Sequence, residues 1–468
     1  MIAKAKSMFG YDAVAGGNKR RSIPTTSRSE DAILGLSDRR KLISTTRDAR
    51  RNFAVAAWAI RKHLDYVARF SFQAKTGDDD LDNEIEGLIR WWSRPQNCDS
   101  RQMHSLRSMV RLIEAGRVVD GDIGVYRLRN GRLQIIESDR IKSDNLRGFP
   151  KNAASDDWVH GVKLSPSGAP TQFMIADRNK AGQGFEFKAI VPAKHFHLPG
   201  YRDRYDQIRG ISPLASAINS MQDVYEGTDY ALGKMKLAQL FGLAIFSDTD
   251  ESAAEVEHDG TTASDGSTLS ASGYSQKIGG GPKVFEYGTE DRVEFLETKT
   301  PATETKAFMA MMLQMSIKAL DIPYALYDES VTNFAGLNAA IRQYKRSCKD
   351  KQDDLIELLD SLTHWRLSLM VDDGLLTLPQ GMTVSQLRWD WVPDGVPWWD
   401  RSKEVVGDIR AIAAGLDNPQ RVCRETGTDF KENIDRIAEA RQYAKEMGVT
   451  VDFTVSQSEL MEAAKQDE

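Results

Sequence analysis

Apolar positions along the first hundred residues recur with a helical period. Between residues 38 and 70 they return every three or four positions, as at Ile60, Leu64 and Val67, which predicts one long helix. The same spacing predicts a second helix over residues 81–92. A third helix is predicted over residues 100–114, with Asp99 or Ser100 as its cap. The chain therefore begins with a helical section.

Between residues 116 and 199 the hydrophobic period changes to two, which is typical of half-exposed strands. Strands are predicted at residues 118–119, 123–128 and 133–136, and Asn130-Gly131 between the last two is a tight-turn signal. Further short strands are predicted at residues 161–164, 172–175 and 185–191. We expect this section to contain an antiparallel sheet.

A long amphipathic helix is predicted to begin at Ser212 and Pro213. Serine caps the first turn, and proline is harmless there because its missing N–H would be unpaired anyway. Continued to Leu240, this helix would be about 40 Å long. Its apolar stripe consists of Leu214, Ile218, Met221, Tyr225, Leu232 and Met235.

A polar, acidic and Gly/Ser-rich run follows and is predicted to be an exposed projecting segment. Its first acidic residues are Asp248, Asp250, Glu251, Glu255, Glu257 and Asp259. A strand over residues 293–296 leads to Thr300 and Pro301, a second helix start with a cap and a proline. This helix, to Leu320, contains Met309, Met311, Met312 and Met315. Core packing is favoured over a deformable partner surface for these methionines.

A loop over residues 321–336 precedes the longest predicted helix, residues 337–371. The middle of that helix, residues 345–354, is almost entirely charged, so it cannot be wholly buried and is expected to cross between layers or subunits. From residue 389 onward the pattern predicts short helices: one after Asp400, one from Asn418-Pro419 and one after Asp429.

The charge of the whole chain is slightly acidic, with a formal net value of −6. Affinity for DNA phosphates comes from basic side chains, so the chain as a whole is not expected to bind DNA tightly. The charge is uneven: residues 1–51 carry twelve Lys or Arg against five Asp or Glu, and residues 247–300 carry twelve acids against four bases. The basic end is predicted to be flexible, with a nucleic-acid or shell contact as the alternative.

No targeting signal or metal motif emerges from the composition. No run reaches the ~18 uncharged apolar residues of a membrane span, and the first residues lack a signal-peptide core. Synthesis in the cytoplasm is the simplest expectation. The three cysteines, Cys98, Cys348 and Cys423, are far apart and are predicted to be reduced thiols.

Catalytic motifs are equally scarce. The chain contains no GxxxxGK[ST] phosphate loop, no GxSxG and no HExxH. His195 and His197, with Asp203 and Asp206 nearby, form the best metal candidate, because strand alternation would place both imidazoles on one face. A structural histidine pair is favoured, since no third ligand has a supporting spacing. We therefore expect a protein without cofactor or metal that works by binding or assembly.

Several segments, taken in order, resemble the portal proteins of tailed phages, specifically the lambda-type portal family. The segments are RDARRNFAVAAWAIRKHLDYV (47–67), GDIGVYRLRNGRLQIIESDRI (121–141), VPAKHFHLPGYRDRYDQIRGISPLASAI (191–218), ALDIPYALYDESVTNFAGLNAAIRQYKR (319–346) and WWDRSKEVVGDIRAIAAGLDNPQRVCRETGTDF (398–430). Arg-Gly-x-Ser-Pro-Leu opening a long helix is the most specific. The chain departs from the family at Arg69-Phe70-Ser71-Phe72, where Val-Gly-x-Gly is common, and at Arg401-Ser402, where Asp-Pro is common.

The resemblance implies an α+β, predominantly helical portal fold assembled as a ring. Its modules would be a basic flexible arm (1–51), a wing (52–210), a first stem helix (211–246), an acidic clip (247–300), a second stem helix (301–320), a tunnel loop (321–336), a long wing helix (337–375) and a helical crown with a tail (376–468).

The resemblance also implies a function. About twelve copies would form a ring at one capsid vertex, through which double-stranded DNA is packaged and ejected. The large terminase subunit and later head-completion or adaptor proteins would dock on it, and capsid and scaffolding proteins would surround it. Tyr324, Tyr327, Asn333 and Phe334 would line the channel constriction or, as an alternative, only pack their loop. The rival functions are another ring-forming head–tail adaptor and a metal-dependent nuclease centred on His195, His197 and Asp203.

Overall fold

The computed structural model describes residues 27–143, 158–179, 184–240, 243–246, 292–295, 303–328, 330, 334–395 and 401–449. The chain divides into two compact units, one formed by residues 1–222 and 314–468 and the other by residues 223–313. Helix predominates among the described residues, and the strands there form small antiparallel sheets. The predicted α+β, mainly helical class is confirmed at this level.

The N-terminal section contains three helices: α1 (Glu30–Ile33), α2 (Leu36–Asn52) and α3 (Ala54–Val67). The prediction of one helix over residues 38–70 is wrong at Phe53, whose extended backbone (φ −102°, ψ 109°) separates α2 from α3. The break lets both helices bury a face against each other and against the helix over residues 106–120. The basic arm predicted to residue 51 is also too long, because α2 is packed, with Thr46 and Ala49 buried.

The next elements are β1 (Phe70–Ala74), α4 (Asp79–Trp92), α5 (Pro95–Cys98) and α6 (Leu106–Asp120). Helix α6 begins six residues later than predicted because the Asp99 carboxylate accepts the backbone N–H groups of Met103 and His104 and closes a turn before it. Ser105 then caps α6. Residues 118–119, predicted as a strand, belong to this helix.

Two sheets follow. Their strands are β2 (Ile123–Arg127), β3 (Leu133–Glu137), β4 (Trp158–Val159), β5 (Val162–Leu164), β6 (Pro170–Arg178), β7 (Phe185–Pro192) and β8 (Phe196–His197). Five of these seven strands lie close to predicted positions, whereas β4 and β8 were not predicted. The orders are β3-β2-β8 and β4-β5-β6-β7, antiparallel throughout. Gly131, at φ +76°, makes the β2–β3 turn, as Asn130-Gly131 predicts. Phe173 and Phe196 pack at 4.5 Å in the shared core.

The long helix predicted from Ser212 begins as a 3-10 turn, Pro213–Ser216, and continues as α7 (Ile218–Leu240). The Ser212 hydroxyl accepts the Leu214 N–H at 3.2 Å, as expected of a cap. Strands β9 (Leu243–Phe246) and β10 (Arg292–Phe295) pair antiparallel, and α8 (Thr303–Ile317) follows.

The C-terminal section contains α9 (Phe334–Asp372), β11 (Trp389–Pro393), α10 (Arg401–Ala413), α11 (Pro419–Glu425) and α12 (Phe430–Glu446). The side chains of Asn418 and Asp429 cap α11 and α12, which confirms both predicted starts. Only helices were predicted from residue 389 onward, and β11 corrects this, since it pairs antiparallel with β1. None of the described helices is both long and apolar enough to cross a membrane.

Candidate assembly and channel surface

A fully buried carboxylate, that of Asp122, holds the segment that leads into α7. Asp122, 0% exposed, forms a bidentate ion pair with Arg209, with Nε–Oδ2 and Nη2–Oδ1 distances of 2.7 and 2.9 Å. Arg39 of α2 donates to the same carboxylate at 3.1 Å. Two charges can share a dry site only if the geometry is good and further hydrogen bonds satisfy them.

Those further hydrogen bonds are present. Arg209 also donates to the carbonyl oxygens of Ile141 (2.8 Å) and Ser138 (3.0 Å), and Gly210 N–H donates to Asp122 at 2.8 Å. Burial alone would raise the pKa of Asp122, but the guanidinium groups of Arg209 and Arg39 outweigh it and hold that pKa well below its usual range. Asp122 is therefore ionised in the fold at neutral pH. We call Asp122, Arg209, Arg39 and Ser138 the Asp122 cluster.

Two glycines allow the backbone to cross at this cluster. A Cβ on Gly121, whose φ is +96°, would lie 2.5 Å from the Gly210 carbonyl oxygen, and a Cβ on Gly210 would lie 2.1 Å from the Gly121 carbonyl oxygen. Any side chain would force the segments apart. Gly121-Asp122 and the Arg-Gly-x-Ser-Pro segment that begins at Arg209 are therefore two sides of one backbone contact. The second of these segments leads directly into α7.

A second buried cluster holds the long helix α9 against the rest of its unit. Glu114 of α6 is 0% exposed and accepts hydrogen bonds from Tyr201 (2.5 Å) and Arg117 (3.0 Å), while His63 Nε2 lies 2.8 Å away. Arg117 also reaches Asp354 of α9 at 2.5 Å. Burial opposes ionisation of Glu114, but Arg117 and His63 outweigh it and lower its pKa. We call Glu114, His63, Tyr201 and Arg117 the Glu114 cluster.

The charged middle of α9 is explained by this docking. Lys351 and Ser347 bind the Asp321 carboxylate at 2.8 and 2.6 Å, and Gln352 donates to the Tyr66 carbonyl oxygen at 2.7 Å. Asp354 remains 58% exposed while it pairs with buried Arg117. The prediction that α9 cannot be wholly buried is confirmed for these residues.

Helices α7 and α8 present apolar side chains to solvent. The predicted stripe on the first long helix divides: Leu214, Ile218 and Met221 are buried, whereas its later members are exposed. The exposed apolar side chains of α7 and α8 are Tyr225 (53%), Tyr230 (75%), Leu232 (47%), Met235 (36%), Phe308 (58%), Met311 (48%) and Met315 (57%). Core packing, predicted for the α8 methionines, is therefore wrong for Met311 and Met315. Large apolar groups left in water mark an interaction surface when they cluster.

The loop between α8 and α9 carries Tyr324 and Tyr327, two of the predicted constriction residues. The loop predicted over residues 321–336 is too long, because α9 already begins at Phe334. Tyr327 packs edge-on against Trp58 of α3 with ring centroids 5.3 Å apart, and Tyr324 lies 5.7 Å from Tyr327. Tyr327 remains 43% exposed, so it contacts the fold and solvent at once. Asn333 lies outside the described residues, and Phe334 is described only as the first residue of α9.

Other predicted site residues also lie outside the described residues. They are Thr300 and Pro301 at the second helix start and the acidic residues Asp248, Asp250, Glu251, Glu255, Glu257 and Asp259. Pro213 lies in the first turn after the Ser212 cap, as predicted.

The histidine pair does not have the geometry predicted for it. His195 ends a 3-10 turn and only His197 lies in β8, so strand alternation does not place them together. Burial and then Arg127 lower the pKa of His197 to about 4, and burial, Lys194 and Arg127 lower that of His195. Cationic surroundings also disfavour a metal ion. In the part of the chain that the structure describes, no three His, Cys, Asp or Glu residues are grouped as metal ligands.

The buried polar clusters were not found from the sequence. Asp122, Arg209, Glu114 and Arg117 each occur among other charged residues, and charged residues are usually solvated. The available signal was glycine next to two of them, at Gly121-Asp122 and Arg209-Gly210, since glycine often marks a close approach of two backbones.

Comparison with known proteins finds a similar protein in a phage and similar chains in gene transfer agent particles. The "Probable portal protein" of Halomonas phage phiHAP-1 is 24% identical over 386 residues, which cover 80% of this chain and 72% of that protein. Among solved structures, chains from the neck of an empty gene transfer agent particle (GTA; computed with C6 symmetry) and from the virion of a native GTA particle are similar. The neck chain is 13% identical, with a TM-score of 0.48 over 82% of this chain and 93% of that chain. The virion chain is 14% identical, with a TM-score of 0.46 over 84% of this chain and 99% of that chain.

The profile of one protein family matches most of the chain. It is that of the phage portal protein, lambda family, and it matches residues 16–352. The matched residues include the Asp122 cluster, the Glu114 cluster, helices α7 and α8, and the loop before α9. The match ends within α9. The chain therefore belongs to the lambda family of phage portal proteins.

Proposed function

We propose that this chain is the portal subunit of a tailed phage virion, in which about twelve copies form a ring around a channel for double-stranded DNA. The observation that carries the proposal is the exposed apolar surface of α7 and α8 in a member of the portal family. A single copy would leave Tyr230, Phe308 and Met311 in water, whereas neighbouring copies could cover them. A closed ring buries such a surface by head-to-tail contacts between different patches.

The modules of the ring follow the family pattern. Residues 52–210 and 337–375 form the wing, α7 and α8 form the stem, and the acidic run over residues 247–300 forms the clip. The clip would receive the large terminase subunit during packaging and head-completion or adaptor proteins afterwards. Capsid and scaffolding proteins would contact the outside of the ring. We expect no catalytic activity and no cofactor.

The net negative charge of the chain is compatible with a channel through which DNA passes. Duplex DNA must slide through the channel without a deep binding well, and basic surfaces create such wells by releasing counterions. Each copy carries a formal charge of −6, so the assembled ring would have little non-specific hold on phosphates. Tyr324, Tyr327, Asn333 and Phe334 would contribute an uncharged constriction.

Particle images and solution mass test the proposal. Electron micrographs of the purified full-length chain should show annular particles, with a mass close to twelve times the 52.3 kDa of one chain. Met311→Glu should shift the protein toward single copies, because it places a charge in the apolar contact. The matched control is Met103→Glu, at a 65% exposed methionine outside α7 and α8, and it should leave rings intact. Absence of rings across a range of salt concentrations would refute the proposal.

A further inference from the structure

Most buried or half-buried arginines of this fold have an internal acidic partner. The pairs are Arg39–Asp122 (3.1 Å), Arg47–Asp120 (2.6 Å), Arg117–Glu114 (3.0 Å) and Arg209–Asp122 (2.7 Å). Arg127 and Arg366 differ, since neither has a carboxylate within 4 Å among the described residues. An uncompensated charge withdrawn from water is costly, so these two arginines require an explanation.

Both arginines are held in place by neutral groups. Arg127 lies over the Trp365 ring and Arg366 over the Trp91 ring, each 5.9 Å from the ring centroid. Arg366 is 5% exposed, and the Nε atoms of both arginines are buried without a hydrogen-bond partner. Burial lowers the pKa of both groups, and the Asp373 carboxylate opposes this shift at Arg366 without cancelling it.

Further cations surround them. Arg129 and Lys194 are exposed and Arg132 is half-buried, and no ion pair involves these three side chains within the described ranges. Arg127 donates to the Lys194 carbonyl oxygen, and Gly131 of the β2–β3 turn lies against Arg366. We call Arg127, Arg129, Arg132, Lys194 and Arg366 the cationic patch. Its field also contributes to the lowered pKa values of His195 and His197.

An acidic surface of the same chain lies at the other end of α4. Asp78, Asp79, Asp80 and Glu84 are exposed there. Asp79 pairs with Lys431 of α12, whereas Asp80 and Glu84 have no cation within 4 Å among the described residues. We call these four residues the acidic end of α4. The opposite end is fixed beside the cationic patch, because Trp92 donates to the Gly131 carbonyl oxygen at 2.9 Å. The 14 residues of α4 separate the two surfaces by about 20 Å.

We propose that the cationic patch of one copy docks on the acidic end of α4 of the next copy. The inference rests on the ring put forward under Proposed function and names two surfaces that would meet in it. Opposite charges at the two ends of one rigid helix provide the two different patches that a head-to-tail contact requires. Complementary charges fix register and speed association.

A protein partner explains the patch better than DNA does. Trp91, 40% exposed and stacked against Arg366, gives the patch an aromatic and arginine-rich character. Tryptophan and arginine are the residues enriched at the energetic centres of protein interfaces. A surface that bound only phosphate backbone would be expected to consist of solvated lysines and arginines.

Charge reversal on exposed side chains tests the docking in the full-length protein. The double variant Arg129→Glu/Lys194→Glu should raise the concentration for half-assembly by about tenfold or more near 0.1 M salt, and by less at 1 M salt. Asp80→Lys/Glu84→Lys should do the same. The variant with all four changes should assemble within about threefold of the wild type, because the swapped charges attract again.

The control reverses one cation and one anion elsewhere and, like the fourfold variant, leaves the net charge unchanged. Lys445→Glu/Glu439→Lys changes two exposed residues of α12 and should leave assembly unchanged. The milder variant Arg129→Gln/Lys194→Gln covers the case in which charge reversal disturbs folding, which circular dichroism would reveal. It should weaken assembly less than the reversal does, and in the same direction.

The outcomes separate this inference from the proposed function. If the wild type forms no rings, both fail. If the wild type forms rings and the reversals leave assembly unchanged, only the docking fails. Weakened DNA binding with unchanged assembly would assign the patch to DNA and overturn the docking. Failure of the fourfold variant to recover assembly would overturn the pairing of these two surfaces.

Discussion

Replacing Asp122 with asparagine tests the central cluster, because it removes one charge and keeps the shape. The carboxylate accepts hydrogen bonds from Arg209, Arg39, Ser138 and the Gly210 N–H. An asparagine presents an NH₂ group to some of these donors and leaves two guanidinium groups, 2% and 8% exposed, without a counter-charge. Removal of one partner from a buried ion pair costs about 3–5 kcal/mol, and we expect a loss of that size in the free energy of unfolding.

Urea unfolding followed by circular dichroism measures this loss. Wild type and variant are compared at one protein concentration, because association adds to apparent stability. The control Asp38→Asn affects a carboxylate that is 64% exposed and paired with Lys41 at 3.7 Å, and it should cost less than about 1 kcal/mol. In the double variant Asp122→Asn/Arg209→Met, the loss should be smaller than the sum of the single losses.

The pH dependence gives an independent check on the same cluster. The pKa of Asp122 is lowered in the fold, so its stabilisation is present above the ordinary carboxyl pKa of about 4 and is lost as the pH falls through the folded value. The difference in stability between wild type and Asp122→Asn should therefore be constant near neutrality and shrink in strong acid. A loss below about 1 kcal/mol at pH 7, or a difference that grows in acid, would refute the reasoning.

Further outcomes follow from other buried groups. Glu114→Gln should destabilise the fold by about 3–5 kcal/mol in urea unfolding, since Arg117 loses its buried anion; an unchanged free energy of unfolding would contradict this pairing. Gly121→Ala should lower the yield of soluble protein or its melting temperature, because φ is +96° and the Gly210 carbonyl oxygen blocks a Cβ; a wild-type melting temperature would contradict the close crossing. Burial raises the pKa of Cys98 to about 12, so native alkylation detected by mass spectrometry should modify half-exposed Cys423 well before Cys98. The His197 pKa of about 4 lies below the ordinary value, so this residue should lower stability as the pH falls from about 6.5 toward 4, and His197→Gln should flatten that decline.

Local signals in the sequence predicted most helices and strands. Asn418 and Asp429 cap helices where expected, and Asn130-Gly131 turns a hairpin. Each signal acts over three or four residues, since a capping side chain bonds to the backbone of its own turn. The order of elements could therefore be predicted, whereas the resemblance to the portal family rests on the sequence segments themselves.

Errors arose where distant segments decide the outcome. The break at Phe53 and the pairing of β11 with β1 have no strong local signal. The exposure of Met311 could not be read from its helix, because the period of apolar residues is the same whether the facing surface is a core or a second molecule.

The sequence by itself determined most of the helices and strands, the two helix starts with an acidic run between them, and the family. Only the tertiary structure decided which charged residues are buried and which apolar residues are left in water. Asp122, Arg209, Arg127 and Arg366 look alike in the sequence as charged positions. Their different roles arise because the cost of withdrawing a charge from water depends on the groups that folding brings beside it, and those groups come from remote parts of the chain.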